Sequence, residues 1–365
     1  KKPRVMVWPY GQFNDVAVQL ARQAGMPHYF SLGEKIINKV GDKHIGRLLL
    51  NAETDLNTVK NYLDGIDESK QIQRVLHVDL DYVYDADKAQ QAKNLDKLID
   101  RIYRYGVTTV YLQAFSDPDG DGVADALYFP NKYLPVRDDI FGRIAWQLQT
   151  RAGVQVYAWM PVLAFDLRKG VKEAEYVIDS RTGKPSTKAY LRLSPYNNQN
   201  VEIIKSIYND LSFHAKFNGI LFHDDAFLTD FEGAEGDHAE GMVSPQAKQK
   251  TQDLIQLTHQ LTDALKPYFL RGSYSLKTAR NLYASVITNP NAEEWLAQNL
   301  KTLTDNYDTT AIMAMPYMEN EQPISQKEAY QWFASLIENV KAQAPLEKVL
   351  FEFQAVNWRT QKPIP

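Results

Sequence analysis

From Arg74 onward one pattern returns seven times: a short apolar run, a polar turn, then a stretch of helical periodicity. The apolar runs fall at 75–81, 109–115, 154–160, 219–222, within 276–281, at 311–315 and at 349–354. Helices are predicted between them at about 88–105, 138–152, 198–215, 245–266, 292–306 and 325–343. Strands that are apolar along their whole length belong to a parallel sheet covered by helices. Seven such units favour an α/β fold, a (β/α)8 TIM-like barrel, over an open sheet. No Gly-rich phosphate loop follows the first strand, which counts against a dinucleotide-binding sheet. After Trp358 only Arg-Thr-Gln-Lys-Pro-Ile-Pro remains, so the barrel is expected to lack its last strand. An unclosed barrel leaves sheet edges bare, and Lys1-Lys-Pro-Arg-Val runs straight into a strand. The chain therefore reads as a piece of a longer protein.

Ahead of the repeat, a strand at 4–11, a helix at about 13–24, strands near 28–32 and 46–50 and a polar helical stretch to about 66 are expected. A charged linker, Asp67-Glu-Ser-Lys-Gln71, follows them. These elements are too few for a domain of their own. The division is thus 1–68, a remnant, and 69–365, the barrel.

Several chemistries are excluded early. A formal net charge of −4, with no basic cluster, gives no field for nucleic acid. The absence of cysteine removes thiol nucleophiles, disulfides and zinc–thiolate sites. His77, His214 and His223 show no HxxxH or HExxH spacing, so no metal site is expected in the barrel. No serine stands in a nucleophile elbow. The 21 tyrosines and 6 tryptophans suit sugar rings, although core packing uses aromatics more often. Trp159, Tyr317 and Trp358 are candidates for a stacking wall, and Trp146, mid-helix, is expected in the core.

The acids gather where the strands end. Asp79 and Asp81 close the first strand, Asp117 follows the second and Asp166 the third. His223, Asp224, Asp225 and Asp230 follow the fourth, Lys277 and Arg280 lie on the fifth, Tyr317 and Glu319 follow the sixth, and Glu352 is on the seventh. Buried carboxylates cost several kcal/mol unless paired or used, and a barrel collects catalytic side chains at the carboxyl ends of its strands. Paired carboxylates there point to glycoside hydrolysis. Asp224 and Asp230 are candidate proton donors, raised by desolvation, with Glu352 as second carboxylate. Glu352 could instead be a buried partner of Lys277 or Arg280. Asp225 and His223 are assigned to substrate binding, His223 also to orienting Asp224, and Asp79, Asp81 and Asp117 to the groove. Asp117-Pro-Asp-Gly-Asp-Gly122 matches a calcium loop at its first four ligand positions, but Tyr128 stands where the closing Glu belongs. A substrate-lining turn is the preferred reading.

Longer blocks carry a resemblance. Leu76-His-Val-Asp-Leu-Asp-Tyr-Val-Tyr-Asp85, the run Val110–Gly122, Tyr157-Ala-Trp-Met-Pro-Val162, Leu191-Arg-Leu-Ser-Pro195, Ile220-Leu-Phe-His-Asp-Asp225, Lys277-Thr-Ala-Arg-Asn281 and Ile312-Met-Ala-Met-Pro-Tyr317 resemble the periplasmic poly-β-1,6-N-acetylglucosamine N-deacetylases of biofilm export, the PgaB/HmsF family. The resemblance implies a metal-dependent deacetylase domain followed by a barrel that binds and cleaves partly deacetylated polymer. Residues 1–68 would be the deacetylase tail; Trp8-Pro-Tyr-Gly11 resembles its Arg-x-Pro-Tyr-Gly motif, with Val7 in the Arg position. The divalent metal would then belong to the other part of the deacetylase, with no cofactor for the barrel. The resemblance further implies that the acids matching Asp224, Asp225, Asp230 and Glu352 line the sugar groove. It also implies an outer-membrane export porin as partner and a periplasmic location, anchored through an N-terminal segment. The competing function is a non-catalytic module that guides the polymer, its acids serving only as ammonium partners.

Overall fold

The computed structural model describes residues 2–32, 38–50, 59, 62–63, 72–168, 170–171, 174–186, 189–232, 243–266, 276–320, 322–357, 360 and 362–364. β1 (Val5–Val7), β2 (His28–Leu32) and β3 (His44–Arg47) form a small parallel sheet in that order. α1 (Asp15–Gln23) joins the first two strands; the Asn14 side chain caps it and Val18 and Ala21 are its buried face. The predicted helical stretch to about 66 and the linker after it fall almost wholly outside the described residues.

The repeat then unfolds in chain order. β4 (Val75–Val78), α2 (Lys88–Tyr105), β5 (Thr109–Gln113), the short β6 (Phe115–Ser116) and β7 (Ala126–Leu127), and α3 (Phe141–Gln147) come first. β8 (Gln155–Met160), the ribbon of β9 (Ile178–Asp179) and β10 (Lys184–Pro185), α4 (Asn198–His214), β11 (Gly219–Phe222) and α5 (Pro245–Leu265) follow. β12 (Lys277–Tyr283), α6 (Ser285–Thr288), α7 (Glu293–Leu296), α8 (Leu300–Asn306), β13 (Thr309–Met313), α9 (Pro316–Glu319), α10 (Gln326–Gln343) and β14 (Val349–Glu352) complete it, with a terminal ribbon of β15 (Val356–Asn357) and β16 (Lys362–Pro363).

Seven strands pair in parallel in the order β4-β5-β8-β11-β12-β13-β14. Each strand lies beside its predecessor in the repeat, so the sheet curls in one direction, and this is a TIM-like (β/α) half-barrel. β4 and β14 are its two edges among the described residues. The helix boundaries have local causes. Asp87 caps α2, and Gly106, at φ 60°, ends it in the left-handed conformation that suits glycine. Ser325 and Glu328 close a capping box at the start of α10. The helix predicted at 292–306 is two helices, because Ala297 turns left-handed at φ 47°.

Side chains alternate across the sheet, and this alternation decides what can reach a ligand. Outward residues such as Ile220 and Phe222 are fully buried against the helices, where Phe222 stacks on Tyr208 of α4. Each such side chain contributes about 1.5–3 kcal/mol. Inward residues form a second layer of Tyr111, Tyr157, Leu221, Ala279 and Ala311. Gly219 is required in that layer, since a Cβ there would come within 2.6 Å of the Tyr157 ring. Trp146 departs from expectation: it lies on the outer face of α3 and is 62% exposed.

Candidate active site at the strand ends

His223 continues the β11 ladder, its N–H donating to the Met160 carbonyl, and the chain then turns with Asp224 and Asp225 buried. Asp224 Oδ2 accepts from the hydroxyls of Tyr190 (2.8 Å) and Tyr283 (2.9 Å), and Oδ1 lies 2.9 Å from His223 Nε2. Burial pushes this carboxyl up, but the His223 charge and the bonds from His223, Tyr190 and Tyr283 together hold it below the usual carboxylate range. Desolvation and the neighbouring acids would make it the raised proton donor expected from the sequence; with these partners the direction is reversed. His223 is the counterpart. Burial disfavours its imidazolium, yet the Asp224 carboxylate, helped by Asp225, outweighs burial and pushes the ring up to about 10. Asp225 Oδ1 is 3.6 Å from His223 Nδ1, beyond hydrogen-bond reach, so Asp224 is the partner that holds the proton.

Asp225 is not available to substrate. It is fully buried, and its two oxygens accept from the backbone N–H groups of Val162, Leu163 and Ala164 at 2.6–3.1 Å. Its work is to fix the chain after β8. Asp81 is likewise engaged, accepting from Ser116, Tyr128, Arg137 and the Asp117 N–H. Asp117 turns its oxygens to the N–H groups of Gly120, Asp121 and Gly122. One oxygen from each of Asp117, Asp119 and Asp125 lies within 4.8 Å of the other two. Asp166 pairs with Arg168 at 2.8 Å.

Asp79 remains half-buried at the end of β4. Oδ1 accepts from the Asp81 N–H and, at 3.2 Å, from Gln113 Nε2. Burial, reinforced by the Asp81 and Asp117 charges and only partly offset by the Asp81 N–H, pushes it up to about 6. Glu319, on α9, is pushed up to about 7 by burial against one N–H bond from Ala284.

Glu352 is buried in the barrel, where Asn281 Nδ2 donates to both oxygens at 2.8–2.9 Å and His77 Nε2 lies at 3.2 Å. Neither suggested cationic partner is there. Lys277 opens β12 at its amino end and pairs with Asp308, away from the strand ends. Arg280 points outward, fully buried, donating to Tyr307 and to the Ala226 carbonyl. Both therefore leave the list of groove residues. Trp159 lies between the two histidine–carboxylate pairs, its ring 5.1 Å from His77 and 5.4 Å from His223. Asp230 is half-buried beyond the turn. Tyr317 lines a separate groove of about 170 Å³ with Tyr330, Phe333 and Phe353. Trp358 lies outside the described residues.

Tyr190, Tyr283 and Asn281 are the residues sequence reasoning missed. Alternation from the buried Ala279 would have put Asn281 and Tyr283 inward and Arg280 outward. Tyr190 lies in a loop, where no period marks it.

Comparison with known proteins agrees with this architecture. A family described as hypothetical glycosyl hydrolase family 13 matches residues 77–365. The poly-β-1,6-N-acetyl-D-glucosamine N-deacetylase of Escherichia coli strain K12 is 39% identical over 98% of this chain and 55% of its own length; that of strain O157:H7 is 38% identical. The chain thus spans about half the length of the curated relatives it matches. The PgaB (BpsB) glycoside hydrolase domain of Bordetella bronchiseptica superposes with a TM-score of 0.72 and 41% identity, over 80% of this chain and 87% of that one. A β-galactosidase from Rahnella sp. R3, at 12% identity and a TM-score of 0.50 over 81% of this chain and 47% of that one, shares the fold.

Proposed function

The chain belongs to hypothetical glycosyl hydrolase family 13, among the relatives of the PgaB glycoside hydrolase domain, and from that membership we propose that its barrel binds and hydrolyses partly deacetylated poly-β-1,6-N-acetylglucosamine from within the chain. The observation that carries this reading is the buried Asp224 at the strand ends, bonded to His223, Tyr190 and Tyr283 and so held down, while burial pushes Glu319 and Asp79 up. Such pairs divide acid from base at neutral pH. Asp224 acts as a charged carboxylate, stabilising positive charge that develops at the sugar ring or orienting the substrate's own acetamido group. Glu319 follows the strand next to β12, whose Tyr283 holds Asp224, and is assigned as proton donor to the glycosidic oxygen. The Asp230→Asn variant tests the other proposed donor in the same assay. Glu352, oriented by Asn281 and His77, shapes the floor of the groove.

A second reading has its own support. Three donors already occupy Asp224, as in an anchor for ammonium groups rather than a reacting group. Product analysis after incubating this chain with partly deacetylated polymer separates the two: new reducing ends support hydrolysis, and retained polymer with unchanged length supports a binding module. The same membership extends to proposals about the whole protein. Residues 1–68 would be the tail of a deacetylase domain whose divalent metal is held elsewhere. The protein would act in the periplasm, anchored at the outer membrane, and pass polymer to an export porin. Fractionation of cells making the full protein, and co-purification with the porin, test these points.

A further inference from the structure

Tyr190 has two neighbours that belong to different strand ends. Its hydroxyl is bonded to Asp224 after β11, and its ring lies on the Asp117–Gly122 turn after β6. The contact with that turn is close: a Cβ on Gly122 would stand 2.0 Å from Tyr190 Cε1 and 2.4 Å from Cδ1. The turn is itself fixed, because Asp117 gathers the N–H groups of Gly120, Asp121 and Gly122, and its own N–H is bonded to Asp81. On the other side, the ring meets His223 and Phe227 at centroid distances of 5.7 and 6.2 Å. Ala189, immediately before it, is held at φ 59°, a strained value for a residue with a side chain.

We propose that Gly122 is a positioning residue for the Asp224 site: its missing side chain lets the Asp-Gly turn seat the Tyr190 ring, and that seat delivers the hydroxyl to Asp224. The proposal rests on the reading that Asp224 takes part in cleavage. It gives the Asp117–Gly122 motif a task that neither a substrate-lining turn nor a metal loop supplies. Among the described residues Asp224 is held by His223, Tyr190 and Tyr283, and it is the Tyr190 ring that lies against Gly122.

The comparison of two glycines makes the test specific. Gly120 and Gly122 are both left-handed, at φ 76° and 79°, so alanine strains the backbone alike at each. Only at 122 does the new methyl meet a neighbour, since nothing lies within 4 Å of a Cβ at 120. Gly120→Ala, Gly122→Ala, Tyr190→Phe and the Gly122→Ala/Tyr190→Phe double variant would be compared in two measurements. These are cleavage of partly deacetylated polymer and titration of the Asp224 carboxyl by carbon-13 NMR, with Asp224→Asn to assign the signal. Gly122→Ala and Tyr190→Phe should each raise the Asp224 titration and lower cleavage about tenfold, the scale of one hydrogen bond to a charged group. The double variant should be no worse than either single one. Gly120→Ala should do neither. An unmoved titration in Gly122→Ala, an equal effect in Gly120→Ala, or additive losses in the double variant would overturn the proposal. Wild-type cleavage by Asp224→Asn would instead sink the functional reading, and the titrations would still report on the seat.

Discussion

At Asp224 two opposing forces act on one carboxyl. Desolvation would protonate it, but an imidazolium and two phenol hydroxyls stabilise the charge and prevail. Replacing Asp224 by Asn keeps the shape and removes the charge, so cleavage should fall by ~100-fold or more while polymer binding persists. The same pair also sets a pH response. His223 is raised from its ordinary 6.5 to about 10, so its contribution to stability is complete below about 6.5 and is lost as pH rises through about 10. The thermal midpoint of the wild type should therefore decline over that window, and Asp224→Asn should flatten the decline. Asp79 works in the opposite sense. Its folded-state carboxyl sits at about 6, above the unfolded value near 3.8, so ionisation disfavours the fold as pH climbs between them. Asp79→Asn should consequently be more stable than the wild type at pH 8, with the gap closing toward pH 4.

Elements decide which residues a sequence reader can place. The strands were legible because each is a continuous apolar run, and β4, β5, β8, β11 and β14 lie within their predicted limits, while β13 begins two residues before its own. The acids at the strand ends were legible too, since charge after an apolar run is conspicuous. What the run does not display is the face each residue takes. Lys277 and Arg280 share a strand with Asn281, yet one sits at the wrong end and the other on the wrong side. Nor does sequence show which acids are already satisfied, because the donors to Asp225 are backbone groups more than sixty positions earlier. The loop after β8 gives this a measurable form. Asp225→Ala would leave the N–H groups of Val162, Leu163 and Ala164 buried and unpaired, at about 1–3 kcal/mol each. A loss of about 3 kcal/mol or more in denaturant unfolding is expected. A stable Asp225→Ala protein with weakened ammonium recognition would restore the ligand role.

Over the whole molecule the charge is uneven rather than large. A net charge of −4 is modest for 365 residues, but acids concentrate at the carboxyl ends of the strands, and the arginines beside them are already paired. Arg137 is committed to Asp81 and Arg168 to Asp166. Asp79, Asp117, Asp224 and Asp225 are then set against His223 as the cation among them, so the lining carries more acids than cations, with Trp159 between the histidine–carboxylate pairs. A deacetylated sugar carries an ammonium group and an acetylated one does not, so this lining favours the former by Coulomb attraction. Glucosamine-rich β-1,6 oligomers should bind this chain more tightly than fully acetylated oligomers of equal length. The preference should shrink as salt rises from low to ~0.5 M, because exposed charge pairs are screened while stacking on aromatics is not. Isothermal titration of both oligomers across that salt range reads the two contributions separately. Equal affinities at low salt, or a preference indifferent to salt, would mean that shape and stacking select the substrate and that the strand-end acids serve the fold and the reaction alone.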